Sequence, residues 1–373
     1  MQNQTSVKFD NSSNREFSKV LNQRVAQYFK DKKMSRHANF PMVLRTIFVI
    51  GFQVGLYLYM LLGTYSTPAS YLIWAGLAFG MVWSAINVGH DAIHGAYSKS
   101  KFVNWMLSHT FNLNGASAYM WTKMHNTAHH TYTNVMGLDE DVESVPALRL
   151  SPQTPFKPIH KYQHKFAFLF YGLATFSWVF IKDYVKFFKN EVGNFNGEKH
   201  PTIEYFLLFF YKFCYYTLFI VLPLVMVNNI SWGHIIGGYL LMHFIAGMYL
   251  ALVFMLAHIV EKAHFPIPNE INELENSWLV HQLYTTANFG EESLLLSFMT
   301  GGLNTQVEHH LFPNMCTVHY RGLSKIVKQT AHEFNLPYYT YPGFFKALGS
   351  HVKFLKLMGQ PNPQYSTAGA PTA

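Results

Sequence analysis

Three groups of closely spaced histidines dominate the chain: His90 and His94 in HDAIH, His125, His129 and His130 in HNTAHH, and His309 and His310 in QVEHH. Residues three or four apart share a helix face, so each group aims more than one imidazole at one place. Seven imidazoles exceed the four ligands at which an ordinary zinc site closes. Imidazole also suits iron, and a set this large points to a two-metal centre. In the middle group His125 and His129 fall on one helical face with His130 about 100° round it, so that one group addresses two metals. Gln306 stands three residues before His309, where a further imidazole would fit. An amide oxygen is a poorer iron ligand and can bind weakly, act through water or leave a position open.

Carboxylates accompany each group: Asp91, then Asp139, Asp141 and Glu143, then Glu308, with Glu261 just after His258. A ligating imidazole usually donates its second N–H to such a group, which fixes its tautomer and orientation, so these six are expected to support the ligands from behind. The isolated histidines are read as structural. His234 and His243, in or beside a predicted span, are expected to bond to neighbouring helices.

Long uncharged stretches must position these groups. Only 13% of the 373 residues are charged and 17% are aromatic, which leans towards a membrane protein. No Asp, Glu, Lys or Arg occurs between Arg45 and Asp91, or between Lys212 and Glu261. A bilayer core needs roughly 20 helical residues, so each gap holds two spans and a turn. Two helical hairpins are expected, with spans at about 46–63, 71–89, 213–227 and 232–257. Both return the chain to one face with a histidine at the exit. The turns at 63–68 and 228–231 carry no positive charge, whereas the first 45 residues hold nine lysines and arginines. That asymmetry puts both termini and the histidines in the cytoplasm, and it explains the formal charge of +8 better than nucleic-acid binding does.

A fifth apolar stretch, Phe166 to Ile181, is short, aromatic and flanked by lysines. If it crossed the bilayer, the second and third histidine groups would lie on opposite sides, so an interfacial or re-entrant helix is expected. The fold expected is an all-α integral membrane protein of four transmembrane helices in two hairpins, with interfacial helices and a cytosolic helical cap carrying the histidine-rich site. Its parts are a polar arm (1–40) with a short amphipathic helix on the membrane near Val20 to Phe29, a membrane domain (41–359) with cap segments 90–200 and 258–359, and a flexible tail (360–373). Two cysteines, Cys214 and Cys316, give no disulfide framework. The polar first forty residues lack a secretory apolar run, so the first hairpin is expected to serve as its own insertion signal.

At HDAIH, HNTAHHTYTN followed by GLDED, and GGLNTQVEHHLFP, the chain resembles the membrane fatty acid desaturase family, with similarity running from about residue 40 to 345. Gln at the head of the last box resembles the front-end group and related bacterial acyl-lipid or acyl-CoA desaturases. The resemblance implies a di-iron centre, molecular oxygen and two electrons per turnover. By similarity the ligands are His90, His94, His125, His129, His130, His309 and His310, joined by His258 in FMLAHIVE. His281 in WLVHQLYTTANF is the candidate to replace the imidazole missing at Gln306. Residues 1–45 contain no His-Pro-Gly-Gly haem motif of the cytochrome domain fused to many relatives. Electrons are therefore expected from a separate ferredoxin or cytochrome b-type donor with its reductase. That donor would dock on Lys30, Lys32, Lys33 and Arg36, or on Arg321, Lys325 and Lys328.

The function expected is cis desaturation of a fatty acyl chain linked to CoA, carrier protein or lipid, in a multi-pass protein of a bacterial inner membrane. A fatty acyl hydroxylase of the same family is the alternative enzyme. A histidine-rich metal transporter or sensor is the alternative of another class. Transport would place ionisable ligands along a path near the bilayer centre, whereas here they flank the spans.

Overall fold

The computed structural model describes residues 7–365 except 141, 143, 144, 190, 193, 194, 197, 198 and 364. Fourteen helical segments carry the described chain: α1 (Arg15–Asp31), α2 (Phe40–Leu62), α3 (Thr67–Ile93), α4 (Lys101–Leu113), α5 (118–132), α6 (Pro158–Gly172), α7 (Ala174–Phe188), α8 (Thr202–Met226), α9 (Trp232–His258), α10 (Trp278–Thr285), α11 (Leu294–Met299), α12 (Gln306–Leu311), α13 (Tyr320–Glu333) and α14 (Phe344–Met358). Short parallel pairings join Lys8–Phe9 to Glu273–Leu274 and Ala287–Phe289 to Tyr339–Tyr341.

Four helices are long and apolar enough to cross a membrane: α2, α3, α8 and α9. Asn39 caps α2, its side chain accepting the Met42 N–H at 3.1 Å, and Pro41 sits where its missing N–H costs nothing. Helix α3 lies at the centre of the bundle, with 72% of its apolar window buried against 17% for α2. It packs most closely on α9, where a Cβ on Gly238 would meet the Trp74 ring at 2.0 Å. With no hydrophobic effect between helices in lipid, such close approach is what holds them together.

The third span begins earlier than the charge pattern predicts, at Thr202 rather than Phe213, and therefore contains Lys212. Its ammonium donates to Asp183 Oδ2 at 2.8 Å, Gly115 O at 2.7 Å and Val179 O at 2.8 Å, using all three protons. A fully hydrogen-bonded charge can sit within an apolar helix, which is why the lysine fails as a boundary marker. Helices α6 and α7, which carry the fifth apolar stretch, meet at a 53° bend.

The N-terminal helix is longer than the one expected at Val20 to Phe29, and it packs on protein. Phe17, Leu21 and Val25 form an i, i+4, i+8 stripe buried against Leu323, Val327 and Ala331 of α13. Arg24 fixes the register through Thr330 Oγ1 at 3.0 Å and Glu333 at 2.7 Å. Cys214 is half-buried and Cys316 buried, and both are free. Residues 366–373 of the expected tail lie outside the described residues.

Candidate metal centre

The first box extends a membrane helix. The α3 backbone widens into a π turn at Ala85–Gly89 and resumes α geometry at His90–Ile93. The second box lies on α5, whose start is capped by Ser117 Oγ accepting the Met120 N–H at 3.2 Å. Here the sequence-based expectation of ordinary α spacing is replaced by π winding over Thr122–His129. A π turn stacks i on i+5, and His125 Nε2 lies 3.2 Å from His130 Nε2. The third box forms α12 after a turn through Gly301 at φ +64° and Gly302 at φ +85°. A Cβ on Gly301 would meet Ile86 O of α3 at 2.4 Å, so glycine lets this turn press the third box against the first.

Two adjoining groups result. His90, His94, His125 and His309 each offer a ring nitrogen within 4.8 Å of the others', and so do His129, His258 and His310. His130 lies between them, its ring centroid 4.5 Å from that of His309 and 4.3 Å from that of His310. Several inward nitrogens have no hydrogen-bond partner, among them Nε2 of His94, His309 and His310. Buried polar atoms are rarely left so, and a cluster of imidazole lone pairs without donors has the chemistry of a site for cations.

The opposite edges of four rings are tied down. His129 Nδ1 donates to Asp139 Oδ2 at 3.0 Å, His310 Nδ1 to Gln282 Oε1 at 2.8 Å, His258 Nδ1 to Thr285 O at 3.3 Å and His309 Nδ1 to Tyr320 Oη at 3.3 Å. Each bond sets a tautomer with the proton outward and the Nε2 lone pair inward. Gln282 and Tyr320 carry no spacing signal in the sequence. Gln282 merely follows the histidine that was singled out.

Gln306 and His281 differ from the expected exchange. Gln306 stays at the second group, its amide nitrogen 3.1 Å from His258 Nε2, while its Oε1 is buried without a partner. His281 does not join either group. Its Nε2 faces Thr133 O at 3.0 Å, and its ring meets Phe9 edge-on at 5.3 Å. Helix α10 therefore delivers Gln282, the neighbouring residue, to the histidines.

Of the carboxylates expected behind the ligands, Asp139 is the one seen on a box histidine among the described residues. Asp91 instead accepts from Cys316 Sγ at 3.0 Å, Thr317 N at 3.2 Å and Thr317 Oγ1 at 3.1 Å, fastening the first box to the segment after the third. Glu308 accepts from Asn288 at 2.8 Å and Tyr338 at 3.0 Å. Glu261 faces Lys353 at 3.9 Å on the surface. Asp91 and Glu308 miss the histidines because a carboxylate adjacent to a ligand in a helix points to another face, and Glu261 does so because α9 has already ended at His258. Asp141 and Glu143 lie outside the described residues.

Burial decides the charge state. It holds His94, His125, His130, His309 and His310 well below the usual histidine range, with repulsion among the rings adding to the effect. Neutral imidazole is the ligating form, so the site is preset for a cation. His281 is lowered to about 4 by burial. Glu308 is pushed up to about 8 by burial, against the hydrogen bonds from Asn288 and Tyr338.

Two cavities approach the groups. An apolar slot is lined by Met81, Phe111, Trp121, Trp178 and Phe254 and reaches His90. A more polar chamber lies beside it, with Ala116 lining both.

Apolar helices beneath two buried histidine groups define a membrane protein with a site that could hold metal. The sequence profile of the fatty acid desaturase family matches residues 66–342. The acyl-lipid (8-3)-desaturase of Physcomitrium patens is 32% identical over 357 residues, covering 95% of this chain and 74% of that protein. The sn-1 linoleoyl-lipid 6-desaturase of Synechocystis sp. is 32% identical over 358 residues, covering 95% and 98%. That of Arthrospira platensis is 30% identical over 342 residues, covering 92% of each. The chain belongs to the fatty acid desaturase family. It is an oxidoreductase that desaturates a fatty acyl chain.

Proposed function

We propose that the two histidine groups hold two iron ions and that the enzyme inserts a cis double bond at a position counted from the carboxyl end of an acyl chain. The observation that carries this reading is the tethering of His129, His258, His309 and His310 by their Nδ1 atoms, which turns four lone pairs inward. The donor set is imidazole and amide, and the nearby thiol of Cys316 is committed to Asp91. Such a set suits iron, and removing hydrogen from unactivated methylenes requires a redox metal rather than zinc. His90, His94, His125 and His309 would hold one ion, and His129, His258 and His310 the other with Gln306 beside it, His130 standing between. Bound there, iron supplies the oxidising power for C–H cleavage.

The protein's own groups bind and orient the chain. Trp121 stacks on Trp178 at 4.6 Å, and with Phe111 and Phe254 they wall a dry slot against His90. A methylene chain gains from leaving water there and finds no polar partner to compete for it. Overall, two hydrogens leave adjacent carbons. With two electrons from a donor and two protons, they reduce O2 to two waters. A separate ferredoxin or cytochrome b-type protein would supply those electrons. The names of the relatives favour an acyl group carried on lipid, and those designated 6-desaturases favour insertion near the carboxyl end.

The same reading sets the topology. One metal centre built from residues 90–94, 125–130, 258 and 306–310 requires all of them on one side of the bilayer. Helices α2 and α3 then form one crossing hairpin and α8 and α9 the other, with the α6–α7 pair lying at the interface. The basic N-terminal arm favours the cytoplasm for the histidine side, under a cap formed by 90–200 and 258–359. Expression in a host of defined lipid composition, with fatty acids analysed by mass spectrometry, tests the reaction. A new double bond is expected, and its loss in His129→Ala. Persistence of the product in that variant would refute the site, and purified protein binding no iron would refute the cofactor.

A further inference from the structure

The polar chamber lies between α4, the 114–117 loop and the N-terminal half of α8, and shares Ala116 as a wall with the apolar slot. Its walls carry Ser108, His109, Thr122, Tyr211 and Glu204. The one cation among its lining residues is Lys212, whose three protons are already given to Gly115 O, Val179 O and Asp183. No lining side chain therefore has a cationic proton to give an anion, and Glu204 would repel one. His109 Nε2, by contrast, is buried without a hydrogen-bond partner. Ser108 Oγ donates to Trp105 O at 2.7 Å, lies 3.5 Å from His109 Nδ1 and keeps one lone pair for a ligand. The surroundings are apolar: Trp105 lines the chamber while 55% exposed and stacks at 5.8 Å on Phe102, which is 66% exposed.

We infer that this chamber receives the polar end of the substrate, and that this end is an uncharged, hydroxyl-bearing head group on a membrane glycerolipid rather than an anionic carrier. The inference rests on the slot beside His90 being the path of the acyl chain. Ala116 is then the threshold between head group and chain, so the carbons lying between chamber and His90 are counted from the polar end. The apolar rim lets a lipid enter sideways from the bilayer. Coenzyme A, with several phosphate charges, would meet Glu204 and find no free ammonium among the lining residues.

The iron-loaded, detergent-solubilised enzyme is titrated with monogalactosyl dioleoylglycerol, dioleoyl phosphatidylglycerol and oleoyl-CoA. Binding is read from tryptophan fluorescence, and turnover of the same samples is measured separately. The galactolipid is expected to bind at least about ten-fold tighter than either anionic ligand. His109→Phe, which keeps the ring packing on Trp105 and Tyr211, should weaken it about five-fold, the effect of one neutral hydrogen bond. Glu204→Lys should strengthen the two anionic ligands and narrow the gap. Equal or tighter binding of oleoyl-CoA or phosphatidylglycerol to the unaltered enzyme would overturn the assignment, as would an order of affinities that neither variant moves. Binding in the expected order without turnover would instead count against the metal-centre reading and leave the head-group site standing.

Discussion

Replacing Asp139 by asparagine should remove one metal and leave the other. Asp139 is fully buried, and its Oδ2 accepts both His129 Nδ1 at 3.0 Å and the Asn134 N–H at 2.8 Å. Asn134 in turn donates to the carbonyls of His258 and Thr285, and Thr285 O holds His258 Nδ1. One carboxylate thus orients two of the three histidines of the second group. An asparagine keeps the volume but loses the charge, and its amide can present N–H to His129, driving the ring proton to Nε2 where the lone pair is needed. A hydrogen bond to a charged group is worth about 1.5–3 kcal/mol. Loss of an outer partner typically lowers metal affinity 10–100-fold, about 1.4–2.8 kcal/mol, which agrees. The first group has four histidines and no contact with Asp139 among those described, so its affinity should hold. Iron per chain, measured after dialysis against graded chelator, should fall from about two to about one in Asp139→Asn. Two tightly held irons in that variant would refute the outward-proton tautomer as the organising feature of the second group.

Gln306→His should complete the second group with a fourth imidazole and tighten its metal at least about ten-fold by competitive chelation; unchanged affinity would place residue 306 outside the coordination sphere. Lys212→Met should lower the melting temperature in detergent, because an unpaired buried Asp183 costs about 3–5 kcal/mol, while Lys212→Met with Asp183→Asn should recover most of the loss. Acid should weaken the metal-free protein. The five histidines lowered in the folded state bind fewer protons than in the unfolded chain below pH about 6.5, so their stabilisation is full above that pH and declines below it, by up to about 1.4 kcal/mol per histidine per pH unit. Melting curves from pH 7.5 to 5.5 should show this fall, and iron should suppress it; a flat profile without metal would contradict the neutral cluster.

The histidine groups were legible in the sequence because their chemistry is local: each box is a helix turn, and spacing alone brings its rings together. His258 was legible because it ends an uncharged run. The choice between His281 and Gln306 was not, since it depends on how α10 rolls against α5, and one residue of roll exchanges His281 for Gln282. The π winding of α5 was equally hidden, because nothing in TKMHNTAH distinguishes a wide turn from an ordinary one. Charge counting found four spans but began the third too late, since the partner that makes Lys212 tolerable lies 29 residues away. An amphipathic helix was legible at Val20 to Phe29, but the start of its buried stripe, at Phe17, was not. That its cover is α13 and not a membrane follows from contacts some 300 residues distant in sequence.

The buried ion pair also explains how the bundle positions the site. Besides Lys212, Asp183 accepts the Ser117 N–H at 2.8 Å and Trp178 Nε1–H at 2.8 Å, while Lys212 grips Gly115 O. Ser117 caps the helix carrying His125, His129 and His130, and Trp178 stacks on Trp121 in the wall of the slot. Loop 115–117, with Ala116 between cavity and slot, is therefore held at both ends by charges from α7 and α8. A neutral apolar pair of similar volume would pack as well or better, but it would supply no directional bonds to two backbone groups in one loop. The cost of two charges in an apolar bundle is thus offset where orientation matters most, at the point from which the second box and the apolar slot both depart.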